Sequence, residues 1–177
     1  MRRISKMDYY AGAFITSLLG SAKGAPALFD ETNDSRRLSI ATNLGDFNIY
    51  IKYTGDSRIA KVRERKKTSW TVNFTDTDIR KLENEFVQET CKNYIALVLS
   101  NKGLSDTKIA IIEYENAVRC LQKSTPGGNR RINVVRYGSE HNFICYGATE
   151  REGDGFFVNV NFMKCFDKET GEEDEFE

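Results

Sequence analysis

An α+β fold, with a central mixed sheet flanked by helices in the order αβββαβ and a β-rich C-terminal part, is what this 177-residue sequence predicts. Segments with a helical stripe of apolar residues alternate with segments of period-2 alternation through the first two thirds of the chain. The last third is a series of short alternating segments separated by glycine-containing turns. A composition of 40% hydrophobic and 29% charged residues suits an ordinary folded domain rather than a disordered or fibrous chain.

The first helix is expected over residues 5–22. Ser5 is a natural cap, Asp8 follows three positions later as in a capping box, and Met7, Tyr10, Phe14 and Leu18 form one stripe. Gly20, Gly24 and Pro26 end it. Residues 38–42 and 47–54 flank the turn-forming string 43–46 and read as a hairpin. In its second strand Phe47, Ile49, Ile51 and Tyr53 face one way and Asp46, Asn48, Tyr50 and Lys52 the other, so one face is core and the other carries solvent or chemistry. A third strand is expected at 70–74, where Trp70, Val72 and Phe74 alternate with polar residues. Thr75 or Asp76 then caps a helix carrying Ile79, Leu82, Phe86 and Val87, with Asp76 and Asp78 at its positive end. Residues 94–99 read as a strand buried on both faces. A short strand at 109–112 and a helix at 113–122 follow. Residues 124–131 form a loop, and 132–137, 143–146 and 156–162 complete a β-meander.

The 26 basic and 26 acidic residues cancel, but they are unevenly placed. Residues 167–177 hold seven acids against one base, a net of −6, which leaves +6 on residues 1–166. The expected organisation is therefore one globular domain, 1–166, with an acidic, disordered tail, 167–177, that can compete with nucleic acid for the basic body. No apolar run approaches the roughly 20 residues needed to span a bilayer, and no secretory leader is recognisable. A cytoplasmic protein without membrane contact is the expectation. Cys91, Cys120, Cys145 and Cys165 fit no zinc spacing and read as free, buried thiols.

The densest functional signal is basic. Arg58, Lys61, Arg63, Arg65, Lys66 and Lys67 fall within ten residues and Trp70 follows, the ingredients for phosphate contacts and base stacking from a flexible loop. The alternative is a solvated loop with Trp70 in the core. Arg130 and Arg131 would extend the positive surface if the fold brings them near. The lone His141 reads as a turn residue, and its separation from Cys145 by four strand positions, about 13 Å, rules out a nucleophile pair on an unbent strand.

A second pattern lies in Asn33-Asp34 followed by Tyr50-Ile51-Lys52. With the order helix, three strands, helix, strand over residues 5–100, it resembles the restriction-endonuclease-like PD-(D/E)xK nuclease fold. That resemblance implies a divalent metal, Mg, held by Asp34 and by an acid two positions before Lys52, with Lys52 orienting the attacking water. The chain departs from the pattern at Tyr50, whose phenol is a poor ligand for a hard cation. Asp46 shares the face of Lys52 but lies about 20 Å along the strand. The leading expectation is accordingly a non-enzymatic interaction or nucleic-acid-binding module of bacterial or phage type on a nuclease-like core, without a cofactor. A metal-dependent nuclease using Asp34, Asp46 and Lys52 is the alternative. A homo-oligomeric or protein-binding chain with no nucleic acid partner is the third.

Overall fold

A computed structural model describes residues 4–20, 25–31, 36–42 and 45–167 of the chain. Asp34 and the tail residues 168–177 lie outside them. The architecture is α+β, built on two five-stranded sheets. In the first, the spatial order is β1 (Ala25–Glu31), β2 (Arg36–Thr42), β3 (Gly45–Thr54), β6 (Lys92–Leu99) and β7 (Lys108–Glu113). All neighbours are antiparallel except β3 and β6, which run parallel. A parallel pair needs a crossover. Here the chain leaves the first sheet to make β4 (Ser57–Val62) and β5 (Arg65–Phe74), then returns through α2 (Asp76–Lys81) and a π-helical turn, Leu82–Phe86. The second sheet is wholly antiparallel, in the order β10 (Phe156–Asn159), β9 (Asn142–Gly147), β8 (Arg130–Tyr137), β5, β4.

The predicted strands at 38–42, 47–54 and 70–74 are β2, β3 and the end of β5. Two strands were not anticipated. β1 contains Pro26, which proline's missing donor disfavours in a sheet interior, but β1 is an edge strand. β4 was hidden in the basic stretch. The mixed sheet is therefore completed by β1, and β5 belongs to the second sheet.

Helix α1 (Lys6–Gly20) begins at the expected capping box: the Asp8 backbone N–H donates to Ser5 Oγ at 3.1 Å, and the Ser5 backbone N–H donates to Asp8 Oδ2 at 2.7 Å. Its stripe Met7, Tyr10, Phe14 and Leu18 is buried against Phe47, Ile49 and Ile51 of β3 and Ala96 and Val98 of β6. Arg36 of β2, itself buried, donates to Asp8 Oδ1 at 2.6 Å and ties the helix start to the sheet.

The other face of the first sheet packs on the second. Tyr50, Ile95, Leu97 and Ile112 meet Trp70, Val72, Val134 and Phe143, with Leu82, Phe86 and Leu121 closing the sides. This corrects the expectation that one face of β3 is left to solvent: Asn48, Tyr50 and Lys52 are 0, 3 and 4% exposed. Alternation tells which residues share a face, and only the second sheet decides that both faces are covered. Helix α3 (Tyr114–Leu121) sits beside β9, and α4 (Lys164–Asp167) places Phe166 under α1. No helix among the described residues is long and apolar enough to cross a membrane. Cys120 and Cys145 are buried, and Cys91 and Cys165 are half-buried.

The α3–β9 junction depends on a glycine. A Cβ at Gly147 would lie 2.6 Å from the carbonyl oxygen and 3.0 Å from the Cα of Cys120, backbone atoms that cannot swing away. Gly147→Ala is expected to cost about 1–3 kcal/mol through overpacking, measured as a lower denaturation midpoint with an unchanged slope. An unchanged midpoint would show that helix and strand can part freely.

Candidate nucleic-acid interface

The basic stretch forms a two-stranded ribbon, not the flexible loop expected. β4 and β5 pair from Ser57↔Trp70 to Val62↔Arg65, joined by a two-residue turn in which Arg63 and Glu64 both have positive φ, 46° and 67°. Such a turn suits the twist of a hairpin, but Asn-Gly is the residue pair that makes it cheaply. Side chains other than glycine and asparagine are strained in this region. Without a turn signature, and with polar residues on both faces, the stretch carries no period-2 signal. β4 is exposed along all but its first residue, and Ile59 is 66% exposed.

Directly paired residues of antiparallel strands project on the same side. One side of the ribbon thus carries Lys61, Lys66 and Ile59, the other Arg58, Arg65 and Lys67. Lys61 and Lys66 stand opposite each other, a destabilising like-charge pair, beside an exposed ion pair from Lys61 to Glu64 at 2.8 Å. Arg65 and Lys67 are paired with Glu140 and Glu152, and both cations lie over the Tyr137 ring. The Glu152 hydrogen bond holds the Lys67 ammonium above its ordinary pKa. Among the described residues, Arg58, Arg63 and Lys66 are exposed and have no carboxylate partner, so they are the charges most available to phosphate.

Trp70 is corrected. It is 2% exposed, its indole Nε1–H donates to the Ser100 carbonyl at 3.1 Å, and it meets Phe143 edge-on. By that point the ribbon has entered the inter-sheet core, so Trp70 cannot stack on a base. Arg130 lies 3.7 Å from Glu83. Arg131 pairs in register with Asn73, seven residues or roughly 24 Å along β5 from Lys66. The two arginines therefore do not join the ribbon's cluster. Arg131 does share the outer face of the second sheet with Thr71, Asn73 and Lys67, and its buried Nε has no hydrogen-bond partner among the described residues. Tyr146 and Phe157 lie on that same outer face, and Phe157 is 71% exposed. These aromatics were not singled out from sequence, although their alternation with buried Cys145 and Val158 is the signal that places them outward.

The nuclease-like residues end differently. Asp46 is exposed at the start of β3, six positions from Lys52. Lys52 is buried with an acid that sequence reading treated only as a helix-end charge: its Nζ donates to Asp78 Oδ2 at 2.8 Å, while the Tyr50 hydroxyl donates to Asp78 Oδ1 at 2.6 Å. The Thr75 backbone N–H and hydroxyl both donate to Oδ2 at 2.8 Å, completing the α2 capping box. Burial pushes the Asp78 carboxyl up, but Lys52, Tyr50 and Thr75 outweigh it and hold the group below its ordinary value. Three of these donors converge on Oδ2 and one on Oδ1, so both oxygens of the carboxylate are engaged. The arrangement is a closed lock between β3 and α2, and no group of three or more potential metal ligands occurs among the described residues. His141 is exposed, and burial drives the Cys145 thiol far above its normal pKa.

Fold and surface thus define a two-sheet α+β chain with a projecting basic ribbon and a buried Lys–Asp lock. Over 85 residues, 48% of this chain, it is 31% identical to the large ribosomal subunit protein bL25 of Thermoanaerobacter sp. (strain X514). The large ribosomal subunit protein bL25 of Thermoanaerobacter pseudethanolicus (strain ATCC 33223 / 39E) matches to the same extent. The matched stretch spans 38% of each relative's length. No family model matches. No solved structure matches either.

Proposed function

We propose that this chain is a non-enzymatic nucleic-acid-binding module of bacterial or phage type, with a nuclease-like core and the β4–β5 ribbon as its principal phosphate-binding element. The observation that carries this reading is the ribbon itself: Arg58, Arg63 and Lys66 are exposed and, among the described residues, without a carboxylate partner, on a hairpin whose tip is kept charged where Asn-Gly would be less strained. The nuclease-like core is supported by the antiparallel run β1–β2–β3 with β6 parallel beside β3, the ribbon being inserted between the third strand and α2. The nuclease alternative is disfavoured by the Lys52–Asp78 lock, whose carboxylate is buried and already hydrogen-bonded at both oxygens. The relatives that match are by name proteins of the large ribosomal subunit, an RNA-rich particle, and this supports RNA as the first ligand to test.

A short fluorescent single-stranded oligoribonucleotide is expected to bind at low salt and to be released as salt rises. The logarithm of affinity should fall against the logarithm of salt with a slope of about −0.7 per phosphate contact. Absence of binding to RNA and DNA at low salt would refute the proposal, and salt-independent binding would remove the ribbon from it.

A further inference from the structure

Where the two sheets part at their β7 and β10 edges there is a cleft of about 480 Å³. We infer that this cleft is a pocket for a single unstacked nucleobase, a reading that rests on the proposed nucleic-acid function for the ligand's class.

Four neutral amides line it: Asn116 of α3, Asn142 of β9, Asn159 of β10 and Asn161 just beyond. The Asn161 backbone N–H donates to Asn159 Oδ1 at 2.8 Å, and the Met163 N–H donates to Asn161 Oδ1 at 3.3 Å, which leaves the two NH2 groups as donors. Among the described residues the Asn116 and Asn142 side chains have no protein partner, so each offers a donor and an acceptor. One carboxylate, Glu113, and one ammonium, Lys164, give the walls no net sign. This setting disfavours a polyanion or a metal ion. It suits a neutral ring with donors and acceptors on its edge, which is the chemistry by which asparagine reads a base.

The remaining walls supply the stacking surface. Phe156, on the inner face of β10, lines the cleft together with Tyr94 and Phe162, while Phe157 borders it from the outer face. The volume falls within the usual range for small-molecule sites. The position is also consistent with one continuous ligand. β10 and the ribbon strand β4 are opposite edges of one sheet, four strand spacings or roughly 19 Å apart. A single strand held by its phosphates at the ribbon can cross the outer face past Tyr146 and turn a base into the cleft.

The test is titration of the isotope-labelled full chain with adenosine, guanosine, cytidine and uridine, followed through the side-chain amide signals of the four asparagines. At least one nucleoside should move these signals saturably, and the double variant Asn116→Ala with Asn159→Ala should weaken it by about tenfold. Unmoved amides in a protein that still binds the oligoribonucleotide overturn the pocket and leave the ribbon reading standing. Moved amides without any oligonucleotide binding keep the pocket and overturn the ribbon. A response to free glucose or N-acetylglucosamine, with none to nucleosides, overturns the assignment in favour of a carbohydrate.

Discussion

Asp78→Ala is expected to lower the unfolding free energy by about 3–5 kcal/mol, a large fraction of the 5–15 kcal/mol that typical domains possess. The Lys52 side chain is 5% and the Asp78 side chain 4% exposed. Removing the carboxylate strands an ammonium in the inter-sheet core, where the Phe74 ring centroid lies 5.8 Å away. It also removes the acceptor of the Tyr50–Asp78 hydrogen bond and the Asp78 half of the α2 capping box. Lys52→Met combined with Asp78→Leu removes both charges and keeps the volume, and should return most of the loss. Chemical denaturation of the single and double variants measures this. A single variant within about 0.5 kcal/mol of the parent would place the pair in solvent, as for an ordinary surface position. The same double variant addresses catalysis: any magnesium-dependent cleavage that survives in it does not come from Lys52.

The lock also has an acid limb. A carboxyl held below its unfolded pKa of about 3.9 contributes stability at higher pH, and that stability is lost as pH falls through the folded value. Asp8 and Glu152 are depressed as well. For Asp8 the Ser5 backbone N–H is the main cause and Arg36 the next; for Glu152, burial opposes and Lys67 and Tyr137 prevail. The acid limbs of these groups overlap, so the contribution of Asp78 is the difference between the parent and the Lys52→Met, Asp78→Leu variant. That difference should shrink below about pH 4.

What could be read from sequence follows from what local physics controls. The capping box at Ser5, the cap at Thr75 or Asp76, the α1 stripe and the doubly buried strand at 94–99 each depend on residues close in the chain, and these were legible. The Lys52–Asp78 pair spans 26 positions and depends on α2 folding back over β3, so Asp78 carried only its local meaning as a helix-end charge. Trp70 was misplaced for a related reason. Its neighbours in sequence are the ribbon's lysines, but its neighbours in space are Ser100 and Phe143. The ribbon was illegible as a strand pair because its β4 strand is exposed on both faces from Arg58 onward, and such a strand has no need of an apolar period.

That freedom makes the ribbon suitable for a clean separation of binding from stability. Arg58→Gln, Arg63→Gln and Lys66→Gln together remove three charges without a carboxylate partner and should change stability by no more than about 0.5 kcal/mol. If these residues hold phosphates, the affinity for a single-stranded oligoribonucleotide falls roughly 10²-fold at low salt, and the salt slope becomes shallower by about 2. Loss of net charge alone would weaken any polyanion complex, so the comparison requires a matched control. Arg80→Gln, Lys102→Gln and Lys123→Gln remove the same three charges from exposed positions outside the ribbon. Because the whole chain is neutral, both variants carry a net charge of −3. A global field therefore predicts equal losses for the two, whereas a phosphate-binding ribbon predicts that the control keeps its slope and most of its affinity. Equal losses would remove the ribbon from the interface.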